Sequence, residues 1–129
     1  LIPIAAGENA CTSFEFKKMF DAEAVDYAQP SVTKVGGITE FKKISSLADN
    51  YGVQVMPHSP YFGPGFLATL QLAQSMPNPG LLERFFIDFE AYLYPEKTFN
   101  PKDGFFEISD HIGLGIDPDL DVIKDYRVK

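Results

Sequence analysis

The chain has 129 residues, which is the size of one ordinary domain. Hydrophobic residues make up 45% and charged residues 22%, the balance of a folded chain with a core rather than of a disordered one. The formal net charge of -7 disfavours a nucleic-acid partner, because phosphates attract a basic surface, and it suits a metal ion or a cationic ligand. No run of about 18 apolar residues occurs, so we expect no membrane span.

The single cysteine, Cys11, excludes an intrachain disulfide and favours a reducing compartment, so we expect a cytoplasmic protein. Cys11 itself is predicted to be a small buried hydrophobe. Residues 1–6 form an apolar run that lacks a basic lead and is too short for a signal peptide. A chain that opens in such a run suggests a segment joined in mid-fold.

In chain order, residues 1–6 predict a short buried strand that stops at the polar residues after it. A helix follows, which Thr12 or Ser13 can cap. Its apolar side carries Phe16, Met19 and Phe20. Residues 24–29 then predict a second strand, closed by a proline.

The next helix is the clearest in the chain. We expect Thr39 to be its N-cap and Gly52 to stop it. Helical spacing relates Phe41, Ile44, Leu47, Ala48 and Tyr51. A third strand over 53–56, a third helix over 65–76 and a fourth strand over 81–88 complete the pattern. Four strands alternating with three helices predict parallel βαβ units, an α/β fold.

From residue 89 the alternation ends, and prolines and glycines separate short aromatic pieces. We therefore predict a wrapping tail over 89–129, with a short helix within 119–127. His111 has no apolar strand beside it and is expected to be a solvated tail residue.

Four polar residues fall near the predicted strand ends. Glu8, Ser31, His58 and Glu83 are separated by 23, 27 and 25 residues. One βα unit of an eight-stranded barrel takes roughly 30 residues, so this spacing predicts that the four lie on successive strands at one rim. The carboxyl ends of parallel barrel strands surround a common pocket, which is where catalytic groups gather.

Each of these residues also has a simpler interpretation. Glu8 could be a helix N-terminal carboxylate, and His58 a loop histidine bonded to backbone. Glu83 in an apolar strand could pair with Arg84 or with a helix lysine. Gly36-Gly37 ahead of a helix is more often a tight turn than a phosphate-binding loop.

Taken together, the segments resemble a known family. The chain resembles mandelate racemase-like enzymes, which belong to the mandelate racemase and muconate-lactonizing group of the enolase superfamily. The last four strands of these enzymes are similar in order and spacing to residues 6–9, 29–40, 56–59 and 82–84. Residues 113–117 resemble the family's closing segment, so the likeness covers essentially the whole chain.

The resemblance implies the C-terminal part of a TIM-like (β/α)8 barrel of the enolase type, (β/α)7β. Residues 1–88 would be the last four βα units of the barrel domain. Residues 89–129 would be a tail that returns and packs on the barrel and on a capping domain. The N-terminal capping domain and the first half of the barrel would lie outside this chain.

The resemblance also implies a chemistry. The family binds Mg²⁺ through three acidic residues on consecutive strands, and Glu8 matches the third of them. His58 matches the family's histidine acid/base. Glu83 matches the carboxyl group that hydrogen-bonds the developing oxyanion, for which it must be protonated, as a buried position favours. Residues expected to contact the substrate are Ser31, Tyr61 and Asn9, and Phe62 could line the pocket or the core.

One position departs from the family pattern. The family's histidine is usually paired with an aspartate at the end of the preceding strand, where lactonizing relatives carry a lysine, and this chain has Ser31. Without a carboxylate, His58 loses the partner that fixes its tautomer. We therefore expect His58 to act as an acid toward a leaving hydroxyl, with an upstream lysine as the base. Lys34 is expected to be structural.

These implications predict Mg²⁺-dependent removal of the α-proton of a small carboxylate substrate through an enediolate. Dehydration of a hydroxy acid or acid sugar is the first expectation, and racemisation or epimerisation is the alternative. A third interpretation is a non-catalytic barrel that binds carboxylates or sugars. The expected partners are the substrate, the rest of the same polypeptide and further copies in a homo-oligomer, without nucleic acid or membrane.

Overall fold

The computed structural model describes residues 1–128. Three short strands form one parallel sheet in the order β1-β2-β3, over Ala5–Ala6, Tyr27–Ala28 and Gln54–Val55. The helices that connect and follow them are α1, α2 and α3, over Ser13–Asp21, Ile38–Asn50 and Pro64–Ser75. This alternation confirms the predicted α/β class, whereas closure into a barrel stays a prediction.

The strands lie in one register. Ala6 is opposite Ala28, and Ala28 is opposite Val55. The alignment continues past the strands, because the Gln29 N–H donates to the Ala6 carbonyl at 2.9 Å and the His58 N–H donates to the carbonyl of the proline after Gln29 at 3.2 Å. The chain segments that follow the three strands therefore leave the sheet at the same edge, the one that the carboxyl ends of the strands form.

The first strand is shorter and more exposed than predicted. It spans two residues rather than 1–6, and Leu1, Ile2 and Ile4 are exposed. The prediction of burial was wrong because β1 pairs with β2 on one side only, and within residues 1–128 no strand covers its other edge. An apolar run is buried only where a neighbour exists to cover it.

Helix α1 begins as predicted at Thr12, whose side chain accepts a hydrogen bond from the Glu15 N–H. The Glu15 carboxylate reaches back to the Thr12 hydroxyl and to the Cys11 N–H, both at 2.9 Å, which is a capping box. These bonds, the Cys11 N–H first among them, lower the pKa of Glu15. Cys11 precedes the cap and is exposed, so the prediction of a buried thiol was wrong.

Helix α2 begins earlier than predicted. Its N-cap is Gly37, with φ +101°, and Thr39 lies inside the helix. Gly36 also has positive φ, +88°, so the two glycines form the predicted tight turn into the helix. The backbone turn, rather than the threonine hydroxyl, sets where the helix starts.

The main core lies between the sheet and the helices. Phe16 of α1 is fully buried and packs close to Gly7, the residue after β1. The other buried residues of this core include Phe20, Ala28, Phe41, Ile44, Val55 and Leu72. The ends of the strands are thus held by side chains from all three helices.

Residues 81–88 contain no strand, contrary to prediction. An isolated bridge joins Val55 to Pro79, and the Gly80 N–H donates to the Val55 carbonyl at 2.8 Å. Beyond that point the segment runs without ladder hydrogen bonds, and Leu81 and Phe86 are exposed. A strand needs continuous backbone pairing, and within residues 1–128 no strand lies beyond this segment to supply it.

The tail packs on α3 through a second core. Phe66 of α3 contacts Phe99, which ends a 3-10 helix over Glu96–Phe99, with ring centroids 5.5 Å apart. Further members are Leu67, Leu70 and Tyr94. Helix α4 spans Leu120–Asp125, within the predicted range. His111 is exposed, as expected. Among the helices of residues 1–128, none has the length and apolarity that crossing a membrane requires.

Candidate functional site

Glu8 follows β1 at the edge where the strands end. Its side chain accepts a hydrogen bond from the Asn9 side-chain amide at 3.1 Å. The Asn9 amide oxygen in turn accepts a bond from the Lys34 ammonium at 2.9 Å. Lys34 belongs to the segment after β2, so this chain of bonds ties the end of β1 to the end of β2. Lys34 thus supports Asn9, in line with its expected structural part.

His58 follows β3 at the same edge and pairs with Glu83. The distance from His58 Nδ1 to Glu83 Oε2 is 2.7 Å, with 21% of the His58 and 39% of the Glu83 side chain exposed. The Ser59 N–H donates to the same oxygen at 3.1 Å, and the Ser59 hydroxyl donates to the Glu83 carbonyl at 2.7 Å. Ser59 is fully buried, so both backbone and side chain of Glu83 are fixed beside His58.

Ser31 follows β2 and lies beneath Tyr61. The Ser31 hydroxyl hydrogen-bonds to the Tyr61 hydroxyl and, at 3.0 Å, to Thr33. Thr33 also donates to the Tyr61 hydroxyl at 3.0 Å. Gly65 allows this packing, because a Cβ there would lie 2.7 Å from the Thr33 methyl group. The Tyr61 ring meets His58 edge-on, with centroids 6.3 Å apart.

The structure gives two of these residues surroundings that differ from the expected ones. Glu83 was expected in a buried strand, but it lies in an irregular, half-exposed segment, where its Oε2 accepts from the Ser59 N–H and lies 2.7 Å from His58 Nδ1. Ser31 has no exposed surface and its hydroxyl is bonded to Tyr61 and Thr33, so its contact with the substrate stays a prediction. Strand pairing and side-chain packing decide both surroundings, and the sequence pattern carries neither.

The alternative partner for Glu83, its neighbour Arg84, is engaged elsewhere. The Arg84 guanidinium donates to the Phe99 carbonyl at 2.9 Å and to the Asn100 side chain at 2.7 Å. It also lies over the Phe86 ring, 4.2 Å from the centroid. Arg84 therefore anchors the tail, and Glu83 is free to pair with His58.

The site residues form separate groups. Hydrogen bonds join Glu8 to Asn9 and Ser31 to Tyr61, and a 2.7 Å contact joins His58 Nδ1 to Glu83, but within the described chain no hydrogen bond joins the Glu8 group to the His58 pair. Residues 1–128 hold no cluster of three or more acidic, histidine or cysteine side chains that could bind a metal. Glu8 supplies one carboxylate, and Mg²⁺ takes about six oxygen ligands.

Two residues of the site were missed from the sequence. Ser59 holds Glu83, and Thr33 holds Tyr61. Small hydroxyl residues one or two positions from a strand-end residue are common, so the sequence offered only one weak signal. That signal was the position of Ser59 between two prolines, where a rigid backbone directs its N–H.

Comparison with known proteins places the chain in a family. Residues 1–122 match the family model described as enolase C-terminal domain-like. The fold and the polar groups at the ends of parallel strands agree with that class. The chain therefore belongs to the enolase C-terminal domain-like family, in the mandelate racemase and muconate-lactonizing group.

The relatives give the scale of the similarity. D-xylonate dehydratase of Haloferax volcanii is 33% identical over 98% of this chain and 31% of its own length. D-galactonate dehydratase of Xanthomonas oryzae pv. oryzae is 33% identical over 95% of this chain and 34% of its own length. The crystal structure of a mandelate racemase/muconate lactonizing enzyme from Sulfitobacter sp has a TM-score of 0.84 and 35% identity, and the match covers 96% of this chain and 31% of that one. The chain thus spans about a third of the length of these relatives.

Proposed function

We propose that this chain is part of a Mg²⁺-dependent enzyme, a lyase or isomerase, that removes the α-proton of a small carboxylate substrate through an enediolate. Dehydration of a hydroxy acid or acid sugar is the favoured reaction, because the relatives named above include two sugar-acid dehydratases. The observation that carries the proposal is the His58–Glu83 pair at the rim where the in-register parallel strands end, the same rim that Glu8 occupies.

In this proposal His58 transfers a proton at the substrate. An imidazole can donate to a departing hydroxyl or accept from carbon near neutral pH, and its half-buried position beside a carboxyl group suits either task. Within residues 1–128, no group hydrogen-bonds to Glu83 Oε1. This oxygen is proposed to carry the proton of a protonated carboxyl group and to donate a hydrogen bond to the charge that develops on the substrate carboxylate, while Oε2 remains an acceptor. Tyr61 and Asn9 would contact the substrate, with Ser31 holding the Tyr61 hydroxyl.

Glu8 is the proposed metal ligand of this chain. Its carboxylate is the oxygen donor type that Mg²⁺ prefers, so the residue fits the ion, but one carboxylate does not complete a site. The remaining acidic ligands are proposed to come from outside residues 1–128, as would the lysine base. When bound, the ion would stabilise negative charge on the substrate carboxylate.

The domain assignment is part of the same proposal. Residues 1–88 would be the last βα units of a (β/α)7β barrel, and 89–129 a tail that packs on the barrel and on a capping domain. Support comes from the free edge of β1 and from relatives about three times as long as this chain. The proposal includes a homo-oligomer and a cytoplasmic location.

The test uses the intact polypeptide that contains this chain, with Mg²⁺, in heavy water. Candidate hydroxy acids, D-xylonate and D-galactonate among them, are incubated and analysed by NMR. Dehydration removes the α-proton and the β-hydroxyl as water, and the resulting enol takes up a solvent deuteron to give a deuterated 2-keto acid. We expect that product, and we expect His58→Asn to slow its formation by about 10²–10⁴-fold.

Other outcomes point to the alternatives. Deuterium exchange at the α-carbon without a keto acid would favour the racemase or epimerase. Mg²⁺ binding without exchange of any tested acid would support a binding barrel and refute the enzymatic proposal. His111→Asn is the matched control for His58→Asn, because His111 is an exposed histidine of the tail.

A further inference from the structure

His58 has no carboxylate from the strand before it. At the end of β2 the chain carries Ser31, whose hydroxyl is bonded to Tyr61 and Thr33. Within the described residues no hydrogen bond joins Ser31 to His58. A neutral histidine exists in two tautomers, and the proton-transfer competence of one nitrogen depends on what the other nitrogen is bonded to. Some other group must therefore decide the tautomer.

Glu83 reaches His58 from the opposite side, out of the segment that follows α3. Its Oε2 lies 2.7 Å from His58 Nδ1, which is within hydrogen-bonding distance. Oε2 already accepts from the Ser59 N–H, so a hydrogen bond across this contact needs the hydrogen on Nδ1. Nε2 is then the nitrogen left to exchange a proton with a substrate.

The position of Glu83 is itself fixed. The Ser59 N–H bonds to the same Oε2, and the Ser59 hydroxyl bonds to the Glu83 carbonyl. Ser59 is fully buried and is covalently joined to His58, so the acceptor oxygen and the imidazole are attached to one rigid point. A half-exposed carboxylate without such support would lose side-chain entropy on pairing.

We propose that Glu83 is the positioning residue of His58: its Oε2 holds the Nδ1–H tautomer and directs Nε2 toward the substrate, in place of the carboxylate that the preceding strand lacks. The assignment rests on the proposed function only for the role of His58, which is to transfer a proton at the substrate. It gives the two oxygens of Glu83 different partners, Oε2 for His58 and Oε1 for the substrate. One carboxyl group thereby serves two parts of the site.

The experiment is ¹⁵N NMR of the intact polypeptide labelled at histidine, at mildly alkaline pH where imidazoles are ordinarily neutral. The His58 signals are assigned by their loss in His58→Asn. In the unsubstituted protein we expect a protonated Nδ1 and an unprotonated Nε2. Glu83→Met keeps the side-chain length but removes the acceptor, and we expect it to move the tautomer ratio by about tenfold or more toward Nε2–H.

Glu83→Gln is the conservative variant. Its amide oxygen can still accept from Nδ1, so we expect the Nδ1–H tautomer to persist. A merely structural part for Glu83 predicts the same tautomer in both variants. Glu107→Gln controls for the loss of one carboxylate and should leave the His58 signals unchanged.

Two results would overturn the proposal. One is an Nε2–H tautomer in the unsubstituted protein, and the other is an unchanged tautomer ratio in Glu83→Met when circular dichroism shows that this variant is folded. The readout needs no substrate. If no acid is turned over but the tautomer depends on Glu83 as described, the proposed function fails and the positioning assignment stands.

Discussion

Replacing Gly7 by alanine tests how the residue before Glu8 is held. Gly7 has φ +122°, a backbone conformation that side chains other than glycine rarely adopt. A Cβ at this position would lie 2.7 Å from Cε1 and 3.1 Å from Cζ of Phe16. Phe16 is fully buried in the main core, so its ring has no open space into which to move. The substitution therefore meets backbone strain and a steric clash at once.

Both costs can be sized. A strained backbone conformation costs about 1–3 kcal/mol, and forcing extra volume into a packed core costs about 1–3 kcal/mol, so we expect Gly7→Ala to lower the free energy of unfolding by about 2–6 kcal/mol. Gly52→Ala is the matched control. Gly52 also has positive φ, +67°, but a Cβ added there would have no heavy atom within 4 Å outside its own chain neighbours. We expect only the backbone cost there, about 1–2 kcal/mol.

The assay is urea unfolding of the intact polypeptide, followed by far-UV circular dichroism. A double-mutant cycle with Phe16→Leu isolates the clash, because a smaller side chain at 16 relieves it. The double mutant should then lose roughly 1 kcal/mol or more less unfolding free energy than the sum of the losses in Gly7→Ala and Phe16→Leu. Equal destabilisation by Gly7→Ala and Gly52→Ala, together with additive costs in the cycle, would refute the argument.

Two further predictions concern stability. The Glu40 carboxylate is bonded by the Ser13 hydroxyl and N–H and by Lys43, which lowers its pKa from 4.5 to about 2. The pKa of Glu40 is lower in the folded state than in the unfolded state, so the Glu40 carboxylate stabilises the fold above about pH 4.5 and this contribution is lost as the pH falls toward about 2. Between these pH values the stability of Glu40→Gln should therefore fall less steeply than that of the unsubstituted protein in an acid titration. Phe99→Ala should lower the free energy of unfolding by about 3–5 kcal/mol, because the Phe99 ring is buried against Phe62. In this variant the backbone amides of the tail should exchange their hydrogens faster than those of α1.

Periodic features of this chain could be predicted from its sequence. Helices α1 and α2 have apolar residues at three- and four-residue spacing, and Thr12, one of the two predicted caps, directly precedes α1. The alternation of strands and helices indicated the α/β class. Because the spacing of Glu8 and His58 follows that alternation, their shared position at one edge of the sheet was also predictable.

Features that depend on a distant neighbour were not predictable. Residues 81–88 are mostly apolar, as a buried strand would be, but have no pairing partner beyond Gly80, and residues 1–6 are apolar but have no cover. The start of α2 was missed for a local reason instead, because the positive φ of Gly37 sets it rather than the side chain of Thr39.

The sequence by itself determined that three helices alternate with parallel strands and that Glu8, Ser31 and His58 follow those strands, since these features depend on local periodicity and chain spacing. Only the tertiary structure decided that Glu83 pairs with His58, that Ser31 lies under Tyr61 and that Ser59 holds Glu83. Those contacts join residues 24 to 30 positions apart, and their partners are selected by packing across the sheet edge.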